Sequence, residues 1–404
     1  MFVLSSCTTK TDEQNTVDLM KKAIDSSDYS GDFENFPTNI YGTNAFEDYS
    51  HLHSNPLDIA DYSLLPTKSA IHLQKSQMQI EDFCTDVIQN QAHKIKTDLS
   101  YDTEKNLKSA LKNLYKTVGD EQGLDKACDQ IGNIKPSVRK HIARFISAVT
   151  YAYSITESSI GSFSEFNYFF MNEYTYCTPA GSCNDLNMLK SSYDLLSEDE
   201  FNSILQAGQI MIRETSVLAD KLSNVKSLTK NNKKLTVSTP IGDIVLGTND
   251  DDTYDSPNAM LLIDPDGNDT YNGKVAASDY MCPISVLIDT NGNDVYESEN
   301  FDGATQGSGV FGTGLLFDMN GNDTYKAERL AQGCCLIGTG VLYDEAGNDK
   351  YDCKVTGQAS GFYGFALLSD ASGNDEYTAY AFAQASAGNR CQAYTVDLEG
   401  DDSY

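Results

Sequence analysis

Six copies of one short phrase hold two aspartates five positions apart around a Gly-centred turn. They are Asp264 and Asp269 in "DPDGNDTY", Asp289 and Asp294 in "DTNGNDVY", and Asp318 and Asp323 in "DMNGNDTY". Asp344 and Asp349 in "DEAGNDKY", Asp370 and Asp375 in "DASGNDEY", and Asp397 and Asp402 in "DLEGDDSY" complete the set. Five copies place an asparagine before the second acid: Asn268, Asn293, Asn322, Asn348 and Asn374. Clustered carboxylate and amide oxygens suit a hard divalent cation, so calcium is the cofactor these residues would select and all of them are candidate ligands. The same residues suit a second task, because an aspartate three positions before a glycine can cap the N–H groups of its own turn. A third reading leaves them as solvated surface charges.

The spacing of the phrases sets the architecture that must position them. The closing tyrosines Tyr271, Tyr296, Tyr325, Tyr351, Tyr377 and Tyr404 recur at steps of 25, 29, 26, 26 and 27, and a degenerate copy, "GTNDDDTY", ends at Tyr254. Gln306, Gln332, Gln358 and Gln384 recur at intervals of 26, as do Gly312, Gly338 and Gly364. A fixed period of this kind marks a solenoid. Each unit reads as an apolar strand ("GVLYD"), a turn ("EAGN"), a second strand ("DKYDC") and a Gln/Ala/Gly-rich segment ("GQASG"). Short straight segments between Gly and Asn corners fit one coil of a parallel β-helix, whereas no L-x-x-L-x-L frame exists for a leucine-rich repeat.

Alternation within each coil predicts which side chains point inward. Leu262, Leu287, Leu316, Leu342 and Leu368 occupy one position two before the first acid, which reads as inward. The next position varies through Ile263, Ile288, Phe317, Tyr343 and Ser369, which reads as outward. The residue between the second acid and tyrosine varies freely, so it faces solvent and both its neighbours face in. Stacked carboxylates about 4.8 Å apart repel by about 3 kcal/mol per pair at an effective dielectric of ~20, and a divalent cation between coils relieves that. The four glutamines are expected to stack as an amide ladder, each satisfying the next. The coil open at Tyr404 predicts stacking of another chain on that edge or continuation of the solenoid.

Before residue 240 the composition is different. Residues 241–404 carry 28 acidic against 6 basic residues, −22 of the formal −30, while the first 240 carry only −8. A field that negative repels phosphate backbones, so nucleic acid is not an expected partner. Residues 1–65 read as a tether with irregular packing, 66–235 as a helical domain and 240–404 as the β-helix; the fold class is α+β multidomain, a helical bundle followed by a β-solenoid. Leu107, Leu111, Leu114, Tyr115 and Val118 form a helical stripe stopped by Gly119; Val138, Ile142, Phe145, Ile146 and Val149 form another behind Pro136. Ser197 to Glu200 has the capping-box pattern ahead of Phe201, Ile204, Leu205, Met211 and Ile212. His51 and His53 read as packing or surface histidines, and no GxSxG, Walker loop or HExxH appears. Of the 10 cysteines, Cys177 with Cys183 and Cys84 with Cys128 are candidates for disulfides or for buried thiols.

Leu4-Ser5-Ser6-Cys7 resembles the lipobox of bacterial lipoproteins, which implies a lipid anchor on Cys7 and export. The Gly321-Asn322-Asp323 triplet and its equivalents resemble part of the haemolysin-type calcium-binding repeat, which implies calcium between stacked turns of a parallel β-roll. The layout of a helical segment followed by D-x-x-G-N-D-x-Y coils resembles exported bacterial β-helix proteins. Together these imply a non-enzymatic cell-surface or secreted scaffold, with a protein or glycan as partner and membrane contact only through the lipid anchor. The alternative is a carbohydrate-active enzyme such as a polysaccharide lyase, which needs a basic residue with its acids; the coils hold only 6 basic residues, among them Arg329 and Lys354 at near-equivalent positions in neighbouring turns.

Overall fold

The computed structural model describes residues 79–91, 100–161, 196–298, 303–388 and 390–404. Cys7, His51, His53, Cys177 and Cys183 lie outside them.

Helices α2 (Leu107–Val118), α4 (Pro136–Gly161) and α5 (Glu198–Leu222) form where the apolar spacing predicts them, and α1 (Ile80–Gln91) and α3 (Leu124–Gln130) join them in the stretch read as helical. Asn106 caps α2 by accepting from the Lys108 and Ser109 N–H groups, and Gly119 ends it in the left-handed conformation at φ 78°. The capping box at Ser197 and Glu200 forms in full. Helices α4 and α5 are joined by an ion pair in which Arg144, itself exposed, donates to the buried Glu214 at 2.6 and 3.0 Å. Burial alone would raise the Glu214 pKa, but the Arg144 contacts and the nearby Arg213 charge more than offset it, and the net direction is downward.

The remainder is a β-solenoid with two parallel walls. The large wall orders β1 (Leu235–Val237), β2 (Asp243–Leu246), β4 (Ala259–Asp264), β6 (Ile284–Asp289), β9 (Thr313–Asp318), β11 (Cys335–Asp344), β13 (Gly361–Asp370) and β15 (Cys391–Asp397). Only β1 runs antiparallel, against β2, and β8 (Gly309–Val310) adds a short pairing to β11. The small wall orders β3 (Thr253–Asp255), β5 (Thr270–Asn272), β7 (Val295–Ser298), β10 (Thr324–Arg329), β12 (Lys350–Val355) and β14 (Glu376–Ala381). The Gln/Ala/Gly-rich segment closes each coil through left-handed backbone, with φ of 51°, 56°, 50° and 54° at Gln306, Gln332, Gln358 and Gln384.

Those glutamines share one position but do not form the expected ladder. Gln332 Nε2 donates to Tyr325 O at 3.0 Å and Asp352 O at 3.1 Å; Gln306 and Gln358 make the same pair of bonds in their coils. The left-handed turn aims the side chain across the coil at carbonyls on two neighbouring strands, and a buried carbonyl is a more demanding acceptor than another amide. Gln306, Gln332 and Gln358 therefore clamp adjacent coils.

The large wall's outer face also departs from expectation. Ile263, Ile288, Phe317 and Ser369 do point out of the coil, yet all are buried, and the apolar ones belong to one hydrophobic cluster with Phe201, Ile204, Leu205 and Met211 of α5. A helix lies on this face. It comes so close that a Cβ added at Gly208 would meet Thr339 Oγ1 at 2.0 Å. Gly208→Ala is accordingly expected to destabilise the protein by about 2 kcal/mol in urea unfolding through overpacking. An uncovered helix would instead gain up to about 1 kcal/mol from the better helix former, so the sign of the change tests the packing.

Candidate metal centre

The two walls meet at the Asp-bearing turn, and the register is held throughout. Asp264, Asp289, Asp318, Asp344, Asp370 and Asp397 pair in sequence at the ends of large-wall strands, and Tyr254, Tyr271, Tyr296, Tyr325, Tyr351 and Tyr377 pair along the small wall. Period-two alternation turns the leucines and tyrosines into the coil, where they pack together. The tyrosine rings stack with centroids 4.6–5.0 Å apart and planes within 7°, from Tyr254 through Tyr404.

Beside this stack runs a column of carboxyl groups with a fixed division of labour. The first acid of a phrase accepts on Oδ2 from the tyrosine of the preceding coil: Tyr254 to Asp264 and Tyr271 to Asp289 at 2.5 Å, then Tyr296 to Asp318, Tyr325 to Asp344 and Tyr351 to Asp370 at 2.7 Å. In Asp264, Asp289, Asp318 and Asp370 the other oxygen caps the N–H two residues on. The second acid accepts on Oδ1 from the N–H of its counterpart one coil earlier, as Asp323 N to Asp349 Oδ1 at 2.6 Å and Asp349 N to Asp375 Oδ1 at 2.7 Å. Turn capping is thus real.

Capping leaves one oxygen over. The Oδ2 atoms of Asp269, Asp294, Asp323, Asp349 and Asp375 are buried and have no hydrogen-bond partner, on residues that are only 1–2 % exposed. The acids converge as Asp264–Asp269–Asp289, Asp289–Asp294–Asp318, Asp318–Asp323–Asp344, Asp344–Asp349–Asp370 and Asp375–Asp397–Asp402. Each group has one oxygen per residue within 4.8 Å of the others. The first three groups share Asp289 and Asp318, so neighbouring sites are linked.

Burial, and in many cases a neighbouring carboxylate, raises these groups' pKa values. Asp264 and Asp323 are pushed up to about 9 and Asp294 and Asp370 to about 8. Asp349 and Asp397 reach about 7 and Asp269, Asp318 and Asp375 about 6, while Asp289 and Asp344 lie well above the ordinary range. An orphaned buried carboxylate oxygen facing two others demands either a proton or a cation. A hard divalent ion fits the all-oxygen donor set.

The column's first place supports the demand for positive charge. Gly247 stands where the first acid of the degenerate copy would be, leaving Asp252 as that copy's second acid; a Cβ on Gly247 would meet Asp264 Oδ2 at 2.1 Å. There the chain supplies its own cation: Lys234 Nζ lies 3.6 Å from Asp252 Oδ1 and 3.5 Å from the centroid of Tyr254, covering the end of the ring stack.

The asparagines are placed elsewhere. Asn268, Asn293, Asn322, Asn348 and Asn374 lie on the outside corner, where each Oδ1 accepts from the backbone N–H of the next coil at 2.8–3.0 Å. They form a ladder, and none joins an acid triad. Lys354 is on the exposed face of the small wall, ion-paired with Glu328 at 2.5 Å, and Arg329 stands opposite Val355; neither is brought together with the buried acids. The tyrosine hydroxyls are site members that residue types alone did not reveal, although a tyrosine at every phrase end was the available signal.

No protein-family model matches the chain, and neither a curated protein nor a solved structure matches it. Fold and site define a class: a β-solenoid repeat scaffold, flanked by helices, with an internal row of carboxyl triads. No helix among the described residues is long and apolar enough to cross a membrane.

Proposed function

We propose that this protein is a calcium-stabilised β-helix scaffold, exported and held at the cell surface or in the periplasm through Cys7, that presents its rigid outer faces to a protein or glycan. The observation that carries the calcium reading is the set of unpartnered Oδ2 atoms buried inside the acid triads. The ligands would be the aspartates of the triads, with the second acids contributing the oxygen that capping leaves over. The ion's part is to neutralise the column and tie coil to coil; no reaction step is assigned to it. Export rests on the lipobox resemblance and the polar stretch behind it. The surface available for a partner is the small wall's outer face, which carries alternating charges such as Lys350, Lys354 and Glu376, together with the asparagine ridge.

A thermal melt of the full chain with calcium and again with a chelator tests this. A ligand that binds only the folded state stabilises it by about 2.7 kcal/mol at one hundred times its dissociation constant, so the midpoint is expected to rise by several degrees. Asp323→Asn keeps the Oδ1 cap and removes the charge, and is expected to lose part of that rise. Equal midpoints with calcium and chelator, together with an unchanged Asp323→Asn melt, would leave capping as the whole role of the phrase.

A further inference from the structure

Neither the acid column nor the seven cysteines of the described residues, all free thiols with Cys84 and Cys128 among them, accounts for the one end of the protein that is basic. Residues 105–140 and 226–234 hold 12 basic against 4 acidic residues, in a chain of formal charge −30. The fold brings these two distant segments together. Ile134 bridges Thr229 in an antiparallel pair, while Lys135 N donates to Leu228 O and Lys230 N to Asn133 O, each at 2.9 Å. Tyr115 Oη donates to Ser238 O at 2.7 Å and Gln130 Nε2 to Thr236 O at 2.8 Å, which seats the patch beside β1, at the first edge of the large wall. The acid column begins in the coils that follow and runs away from it.

The most regular part of the patch is on α2. Lys105, Lys108, Lys112 and Lys116 fall three and four residues apart, all are exposed, and none shares the buried stripe of Leu107, Leu111 and Leu114. Like charges at this spacing repel one another, and Lys105 and Lys108 stand at the end of the helix where the macrodipole disfavours a cation. No acid in the first turn offsets them. Among the described residues none of the four is ion-paired. The nearest acids along the chain, Glu104 and Asp120, accept from Asn113 Nδ2 and the Gln122 N–H. The row thus opposes the helix that carries it, and its use lies outside the helix. Lys226, Lys230 and Lys233, also exposed, extend the patch from the hinge.

We propose that this basic end docks on an anionic lipid surface, so that the solenoid stands with its acidic coils away from the membrane. The choice of lipid rests on the anchoring reading above: a chain tied to a bilayer through Cys7 has headgroups as its constant neighbour, and a lipid anchor and a basic patch reinforce each other. Each lysine brought to an anionic surface strengthens binding by about fivefold. The attraction acts within a Debye length, about 10 Å at 0.1 M salt, which exposed lysine side chains can reach. The acidic solenoid of a second copy is the weaker counterpart. Ten of its aspartates are buried in the column, where protons or a cation neutralise them, so its outside is far less negative than the sequence. The same burial lowers the repulsion between the solenoid and an anionic membrane.

The test floats the full, unacylated chain with vesicles of phosphatidylcholine alone or with one third phosphatidylglycerol, at about 0.1 M and about 0.5 M salt. Expected is binding to the anionic vesicles at the lower salt only. Replacing three exposed lysines together, Lys108→Gln, Lys112→Gln and Lys116→Gln, should weaken it about a hundredfold. That variant keeps the buried stripe of α2 and should unfold at the parent's urea concentration or above it. Lys350→Gln with Lys354→Gln, on the small wall, should bind as the parent does. No binding to anionic vesicles, equal binding to neutral ones, or an unchanged affinity in the triple variant would overturn the proposal. So would self-association at low salt that the triple variant abolishes without any vesicle binding, which would give the patch to a second copy. The anchor is read separately, from the mass of the Cys7 peptide of protein taken from its own cells. An unmodified Cys7 with intact vesicle binding sinks the anchor alone, and an acylated Cys7 without vesicle binding sinks the docking alone.

Discussion

Stripped of divalent ions, the protein is expected to melt at a higher temperature at pH 5.5 than at pH 8.5, the reverse of the usual behaviour of carboxylate-rich proteins. Aspartates that are ion-paired or accept hydrogen bonds from donors have lowered pKa values in the folded state and stabilise it as pH rises. Here burial, with neighbouring carboxylates adding to it at many positions, raises them, to about 6 at Asp318 and about 9 at Asp323. The folded chain then holds more protons than the unfolded chain at every pH between the ordinary aspartate value and these raised ones. Stability is fully present below about 3.9 and is lost as pH climbs through the window from about 6 to 9. The rise at Asp318 alone, from 3.8 to about 6, corresponds to about 3 kcal/mol. The column as a whole gives less than the sum of its members, because adjacent acids share protons and titrate as a set. Calcium is expected to cancel the trend, since a cation takes the place of the protons and binds the deprotonated carboxyls more tightly as pH rises. Melts at both pH values, each with calcium and with chelator, check all four combinations. A chelated midpoint that is flat or climbs with pH would show that the buried acids do not hold protons in the folded state.

The residues that were legible in the sequence are those whose neighbours along the chain dictate their direction. The sequence turns Asp323 and Tyr325 inward because Thr324 between them varies among the repeats, and a strand alternates. The helical stripes at Leu111 and Ile142 were legible because they depend on a local period. What the sequence left open depends on contacts between distant segments. Phe317 alternates as an outward residue should, but nothing in that alternation says that α5 covers it; the nearest hint was a helix whose buried stripe needed a partner. Gln332 repeats as a ladder residue would, but only the left-handed backbone at that position shows its amide crossing the coil to Tyr325 O and Asp352 O. Asn322 and Asp323 are adjacent acceptors of similar chemistry, and the alternation that turns the aspartate inward turns the asparagine out.

Gly347→Ala is expected to cost about 3 kcal/mol or more, although it adds only a methyl group to a half-buried turn. The need for glycine here does not come from its backbone angles, since Gly347 is not among the residues with positive φ. It comes from the neighbouring coil: an added Cβ would stand 2.2 Å from Gly321 O and 2.5 Å from both Asp349 carboxylate oxygens. Gly292, Gly321 and Gly373 meet the carbonyl of the preceding turn glycine in the same way, at 1.9, 2.1 and 2.0 Å. A carbonyl fixed in the stack cannot yield as a flexible side chain would, so the methyl must either open the coils or push Asp349 away from the Asp323 N–H that it caps. Opening removes apolar contacts among Leu342, Leu368 and the tyrosines. Displacing Asp349 strands a buried N–H and moves a carboxylate out of its triad, so the variant is also expected to bind calcium more weakly. Gly119→Ala, at the left-handed cap of α2 with nothing within 4 Å of the added Cβ, is the control, since it carries backbone strain but no collision. Urea unfolding of the two variants beside the parent, with and without calcium, separates the effects: Gly347→Ala should lose both stability and part of the calcium increment, while Gly119→Ala should keep the increment. A Gly347→Ala protein that unfolds with the parent would mean that the coils are not stacked at the spacing on which the acid column depends.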